Sequence, residues 1–206
     1  MPRPSKFDEA QILASARDLI AARGPEAASI GAIARAIHAP TGSIYHRFES
    51  RDVLLGEVWL SAAEAFQNTY FAVLRGPDAR DAGLAAALYL AQRVRGNLAE
   101  ARVLQLHRRQ AFVGRGWPAG MERRARRLGH QIDTELRAFT QRLCNRTDAR
   151  TLRTVAYAVL DAPFAAVRRH VAAREAPPEY VDLLITAAYD AILVLLGIPR
   201  RRRRAP

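Results

Sequence analysis

Cysteine and lysine each occur once in this 206-residue chain, as Cys144 and Lys6. A lone cysteine excludes an internal disulfide and a thiolate metal site, so nothing points to an oxidising compartment. Long apolar runs are missing too. The opening MPRPSKFDEAQ lacks the apolar stretch of a signal peptide, and AAYDAILVLLGI near the other end is too short and interrupted to span a bilayer. A cytoplasmic protein with no membrane partner is expected. No period-two run bounded by turn residues competes for a strand. Catalytic patterns are likewise absent. His38, His46, His107, His130 and His170 are scattered without an HExxH, and there is no G-x-S-x-G. GRGWPAG, from Gly114, follows a helical stretch and carries Pro118 where a dinucleotide-binding helix would begin, so it reads as a loop. The expectation is a protein without enzymatic activity, cofactor or metal.

What is present is apolar residues and arginine. Half the chain is apolar, enough to bury a real core, and the formal net charge is +12. The charge is uneven. Residues 1–50 carry six basic and five acidic groups, whereas residues 93–150 carry fourteen and five. Global charge therefore does not locate a nucleic-acid site.

Helical spacing covers nearly everything. Ile12, Leu13, Ala16, Leu19 and Ile20 form a first helix that stops at Gly24-Pro25. Ser29 caps a short second helix whose Ile30, Ile33, Ala34 and Ile37 make one apolar stripe. Pro40 suits the first position of a third helix running to Phe48. Ser50 caps a fourth through Val53, Leu54, Val58 and Leu60 to Leu74, where Gly76-Pro77 ends it. Further helices are expected at 81–96, 98–113, 118–145, 149–174 and 179–197, with breaks at Gly96-Asn97, Gly114 to Pro118, Asn145 to Asp148 and Pro177-Pro178. The fold class is all-α.

Within the third helix, Ile44 and Phe48 are one turn apart and point inward, while Gly42, Ser43 and His46 point away and Tyr45 and Arg47 flank the exposed side. That face offers hydroxyls, an imidazole, a phenol and a guanidinium, with a glycine leaving the backbone bare. Such a surface suits base edges and phosphates in a major groove. Two short helices joined by a tight turn, the second exposed and polar, make a helix-turn-helix.

SIGAIARAIHAPTGSIYHRFESRDVL resembles the DNA-binding signature of the tetracycline-repressor (TetR) family, bacterial one-component regulators that are usually repressors. The resemblance covers roughly residues 10–60, with Ile33-Ala34, Gly42-Ser43-Ile44-Tyr45, Phe48, Ser50 and Leu54 at the signature's positions. It implies that Thr41, Gly42, Ser43, Tyr45 and His46 lie on the recognition helix and meet DNA, and that Arg51 reaches a phosphate. With Ser29 at the start of the second helix and Arg47 beside the exposed face, these form the expected DNA-binding set. Three positions depart from the pattern. His38 stands where the turn usually has glycine, Pro40 replaces a serine, and Arg51 replaces a lysine, which keeps the charge but adds a two-pronged grip.

The expected organisation is a three-helix DNA-binding domain over 1–50, a connecting helix at 51–75, a larger helical effector-binding and dimerisation domain over 51–198, and an Arg-rich tail, disordered, at 199–206. The resemblance implies a small-molecule effector in the larger domain, a homodimer through helices 149–174 and 179–197, and release from a palindromic double-stranded DNA operator on effector binding. VAYAVLDAPFAAV and YVDLLITAAYDAILVLLG are apolar over more than one stripe, and a helix with two apolar sides needs two partners. Tyr89, Gln92, Gln105, His107, Gln110, Trp117, Tyr157 and Asp161 are polar or aromatic residues within apolar helices, suited to pocket, core or surface alike. A different class of reading, a helical enzyme or carrier for an anionic small molecule, rests on Arg123, Arg124, Arg126 and Arg127, which also suit a solvated face.

Overall fold

A computed structural model describes residues 8–106 and 117–199, with the side chains of 105 and 106 excepted. No strand occurs among them. The helices are α1 (Glu9–Arg23), α2 (Ile30–Ala36), α3 (Thr41–Tyr45), α4 (Arg51–Leu74), α5 (Ala79–Gly96), α6 (Leu98–Leu106), α7 (Ala119–Cys144), α8 (Ala149–Ala156), α9 (Ala162–Ala173) and α10 (Tyr180–Leu195). A 3-10 turn lies at Pro25–Ala27 and a π-helical turn at Tyr157–Asp161.

The caps explain most boundaries. Asp8 and Gln11 form a reciprocal capping box at the start of α1. Gly24, at φ 89°, closes α1 with its N–H on the Ile20 carbonyl, as the Gly24-Pro25 pair predicts. Ser29 Oγ accepts from the Ala32 N–H at 3.1 Å and Ser50 Oγ from the Val53 N–H at 3.2 Å, so both expected caps form. One boundary differs. Pro40 is extended and stands at the N-cap of α3, and the helix is only Thr41–Tyr45, continued by a turn in which the Phe48 N–H still reaches the Ile44 carbonyl at 2.9 Å.

The chain packs as two compact units. The first comprises the described residues to Ala65 together with Asn97–Leu128, omitting 107–116. Its core gathers Ile12, Ile20, Ile33, Ile44, Phe48, Leu54, Leu55, Leu60, Val103, Trp117 and Met121, and α1 packs on α6. This unit extends past residue 50. Three short helices present too little apolar surface to close a core alone, and residues 51–65, α6 and the start of α7 complete it.

The second unit comprises residues 66–96 and the described residues from 129 onward. Its core holds Tyr70, Phe71, Leu74, Ala86, Leu90, Leu136, Phe139, Val155, Val159, Tyr189 and Leu193. The segment expected as one helix over 149–174 is instead α8, the π-helical turn and α9. Pro163 supplies the reason. It lacks the N–H that would bond the Val159 carbonyl one turn earlier, and the local i to i+5 pattern accommodates its ring. The Tyr70 hydroxyl donates to the Val159 carbonyl at 2.9 Å, replacing the missing donor from another helix. Burial pushes the Tyr70 phenol far above its ordinary range, so it remains a donor. Replacing Tyr70 with phenylalanine strands that buried carbonyl and is expected to cost about 1–3 kcal/mol, read as a lower urea midpoint with unchanged slope.

Candidate nucleic-acid interface

The site is assembled from α2, α3 and the turn between them. Ile30, Ile33 and Ala34 of α2 and Ile44 of α3 are buried, as is Phe48 just beyond it, so the core face of both helices is fixed. The turn is held by backbone bonds. His38 N–H reaches the Arg35 carbonyl at 3.2 Å and Ala39 N–H the Ala34 carbonyl at 2.9 Å, the two bonds of a Schellman closure. His38 takes φ 54° there, a region glycine enters without steric cost and histidine only with strain. The unusual residue has not changed the turn.

What faces outward follows from this scaffold. Thr41, Gly42, Tyr45 and His46 are exposed, and Tyr45 keeps 57 % of its surface open despite its ring. No Cβ added at Gly42 would meet another atom within 4 Å, so its backbone faces open space. Ser43 is half-buried. Arg47 folds back, its Nη1 donating to the Ser43 carbonyl at 3.0 Å. Ser29 is exposed, but its oxygen serves as the α2 cap. Arg51 is turned inward, with Nε on the Ala28 carbonyl at 3.0 Å and Nη2 on the Pro25 carbonyl. The eight expected residues therefore share one unit, while four of them form the open face. Sequence reasoning passed over Arg35, which is exposed on α2 opposite the Ile30/Ile33 stripe. The helical wheel of α2 carried that signal.

Residues 12–58 match the family model for bacterial regulatory proteins of the tetR family. The DNA-binding domain belongs to the tetR family. Beyond that domain the likeness is one of fold. A transcriptional regulator from Rhodococcus sp. Rha1 superposes with a TM-score of 0.72 at 18% identity, over 91% of this chain and 97% of that one. A TetR-like transcriptional regulator from Rhodococcus sp. RHA1 gives 0.65 at 22% identity, over 93% and 98%. FadR from Bacillus subtilis, solved in complex with stearoyl-CoA, gives 0.62 at 11% identity, over 94% and 100%. No curated protein matches the chain. The described residues are thus all-α, with a tetR-family DNA-binding domain over residues 12–58.

Of the residues singled out for a ligand, Trp117 belongs to the first unit and Tyr89, Gln92, Tyr157 and Asp161 to the second. Tyr89 lies in the second unit with its ring 5.7 Å from Phe66 and 6.4 Å from Tyr70, and its buried hydroxyl has no hydrogen-bond partner among the described residues. Gln92, Tyr157 and Asp161 stand on the surface. Trp117 is in the core of the first unit, over Gly56, where any Cβ would lie 2.6 Å from its ring. His107, Gln110 and the side chain of Gln105 lie outside the described residues, as do 107–113 of the expected sixth helix and residues 200–206 of the tail.

The basic run on α7 is also divided. Arg124 grips Glu64 through Nε at 3.0 Å and Nη2 at 2.8 Å and reaches Glu57 through Nη1. The hydrogen bond from Arg124 holds the Glu64 carboxyl below the usual carboxylate range. The stability this lends is present above that range and is lost as acid carries the pH down through the depressed value. Arg126 lies 3.4 Å from Glu122, and Arg123 and Arg127 are exposed. Among the described residues no helix is long and apolar enough to cross a membrane, and no group of three or more His, Cys, Asp or Glu is placed to hold a metal ion.

Proposed function

We propose that this protein is a cytoplasmic homodimeric repressor that reads a palindromic operator through Thr41, Gly42, Tyr45 and His46, with Ser43 at the edge of that face, and is released by a small-molecule effector. The observation that carries the reading is the open face of α3. A polar, glycine-bearing surface is held outward by the burial of Ile44 and Phe48, and base edges are read by such side chains. Residues 1–50 are the reading domain and 51–198 the effector and dimerisation part. Exposed Leu183, Leu184 and Leu195 on α10 support pairing with a second copy. The aromatic group of Phe66, Tyr70 and Tyr89 supports an apolar effector with a polar end, and a relative of the same fold holding stearoyl-CoA agrees with an effector of that kind. Effector binding favours a state in which the paired recognition helices no longer fit successive major grooves.

The test is fluorescence anisotropy on duplexes from the DNA upstream of its own gene and on scrambled duplexes. Thr41→Ala and Tyr45→Ala are each expected to cost about 1–3 kcal/mol on the operator and to relax preference at one or two base positions per half-site. Scrambled DNA should bind the variants as it binds the wild type. Sequence-indifferent binding by the wild type would instead favour a carrier of anions.

A further inference from the structure

The family pattern assigns a phosphate contact to the basic residue after Ser50. In this chain the donors of that residue, Arg51, are engaged elsewhere. Its Nε donates to the Ala28 carbonyl at 3.0 Å and its Nη2 to the Pro25 carbonyl, while Nη1 lies 3.6 Å from the Asp52 carboxylate. The two carbonyls bracket the 3-10 turn Pro25–Ala27, immediately before Ser29 caps α2. Only a planar fork spans two acceptors in this way. An ammonium, as a point charge, does not reproduce it. Arg51 is accordingly well covered, with 31 % of its side chain exposed.

Arg35 is the opposite case. It is exposed in the last turn of α2 and makes no side-chain hydrogen bond or ion pair among the described residues. Its Nη1 would lie 3.7 Å from a Cβ placed on Gly31, so the guanidinium runs back along the helix side away from buried Ile30, Ile33 and Ala34. It directly precedes the closure that delivers Thr41, and the whole of residues 1–50 carries only a small excess of positive charge. An unpaired cation at this place contributes to phosphate binding undiminished by an internal partner.

We propose that the phosphate anchor of this DNA-binding domain is Arg35, and that Arg51 is a positioning residue that fixes the turn ahead of α2 and so the setting of the helix-turn-helix. The proposal rests on the DNA-binding reading above. It is tested on the full chain with an upstream duplex and a scrambled duplex, across a salt series, together with thermal unfolding. Arg35→Ala should lower the log-log salt slope by about two on both duplexes, one phosphate per subunit of a dimer, and leave Tm unchanged. Arg51→Ala should lower Tm, weaken the upstream duplex more than the scrambled one, and leave the slope unchanged. Arg51→Lys decides between charge and fork. It should lower Tm as alanine does, whereas a phosphate contact would be rescued by lysine. Arg137→Ala, an exposed cation of the second unit, serves as control and should change neither quantity. A drop in slope with Arg51→Ala, or rescue by lysine, overturns the role given to Arg51. An unchanged slope with Arg35→Ala overturns the role given to Arg35. A wild type without preference for the upstream duplex counts against the regulator reading alone, because slopes on scrambled DNA still decide between the two arginines.

Discussion

Leu195→Arg is expected to leave the protein monomeric at micromolar concentration in sedimentation velocity and to remove most of its operator affinity. Leu195 is 81 % exposed and Leu183 71 %, with Leu184 at 56 %, Val194 at 49 % and Phe164 of α9 at 44 %. Large apolar side chains concentrated on two consecutive helices are not how a lone subunit meets water. Each leucine covered by a second copy contributes about 1.5–3 kcal/mol, and the two-fold symmetry of a dimer counts it twice. An arginine in the same place loses that term and adds an unpaired buried charge, which costs about 3–5 kcal/mol. Operator affinity falls with the dimer, because each half-site is then bound alone. A wild type that sediments as a monomer would remove the basis of this expectation.

Gly83→Ala is expected to destabilise the protein by about 3 kcal/mol, lowering Tm by about 10 °C. A Cβ at Gly83 on α5 would stand 2.2 Å from Tyr189 Oη and 2.6 Å from Phe139 Cζ. Neither ring has room to retreat, since Tyr189 is 0 % exposed and Phe139 2 %. The Tyr189 hydroxyl also donates to the Arg80 carbonyl at 2.9 Å, so moving the ring breaks a partly buried hydrogen bond. The clash and the lost bond together exceed the gain of about 1 kcal/mol that alanine brings to a helix interior. Gly120 is the contrast. On α7 its nearest foreign atom would be 4.0 Å from a new Cβ, so alanine there should raise Tm through propensity alone. Thermal unfolding of the pair separates packing from propensity, and equal shifts would refute the packing account.

The sequence by itself determined where most of the helices lie, the caps at Ser29 and Ser50 and the place of the turn between α2 and α3. Gly24-Pro25, Ser29, Ser50 and Gly76-Pro77 act through bonds to groups a few residues away, and such contacts are local enough to read from order alone. The outward face of α3 followed from the inward placement of Ile44 and Phe48. Only the tertiary structure decided where long side chains spend their donors. Arg51 meets carbonyls 23 and 26 residues earlier in the chain, and Arg124 meets a carboxylate 60 residues away. Trp117, aromatic and as well suited to a pocket or a surface, fills the first unit's core, and Ala188, apolar and helical like Leu195, is half-buried while Leu195 is open. The π-helical turn needed both Pro163, visible in order, and the Tyr70 hydroxyl, 89 residues from the carbonyl it satisfies. Periodicity ranks faces by polarity. A guanidinium or a ring is placed by whichever partner the fold brings within a few ångströms, and that distance is not written in the spacing of residues along one helix.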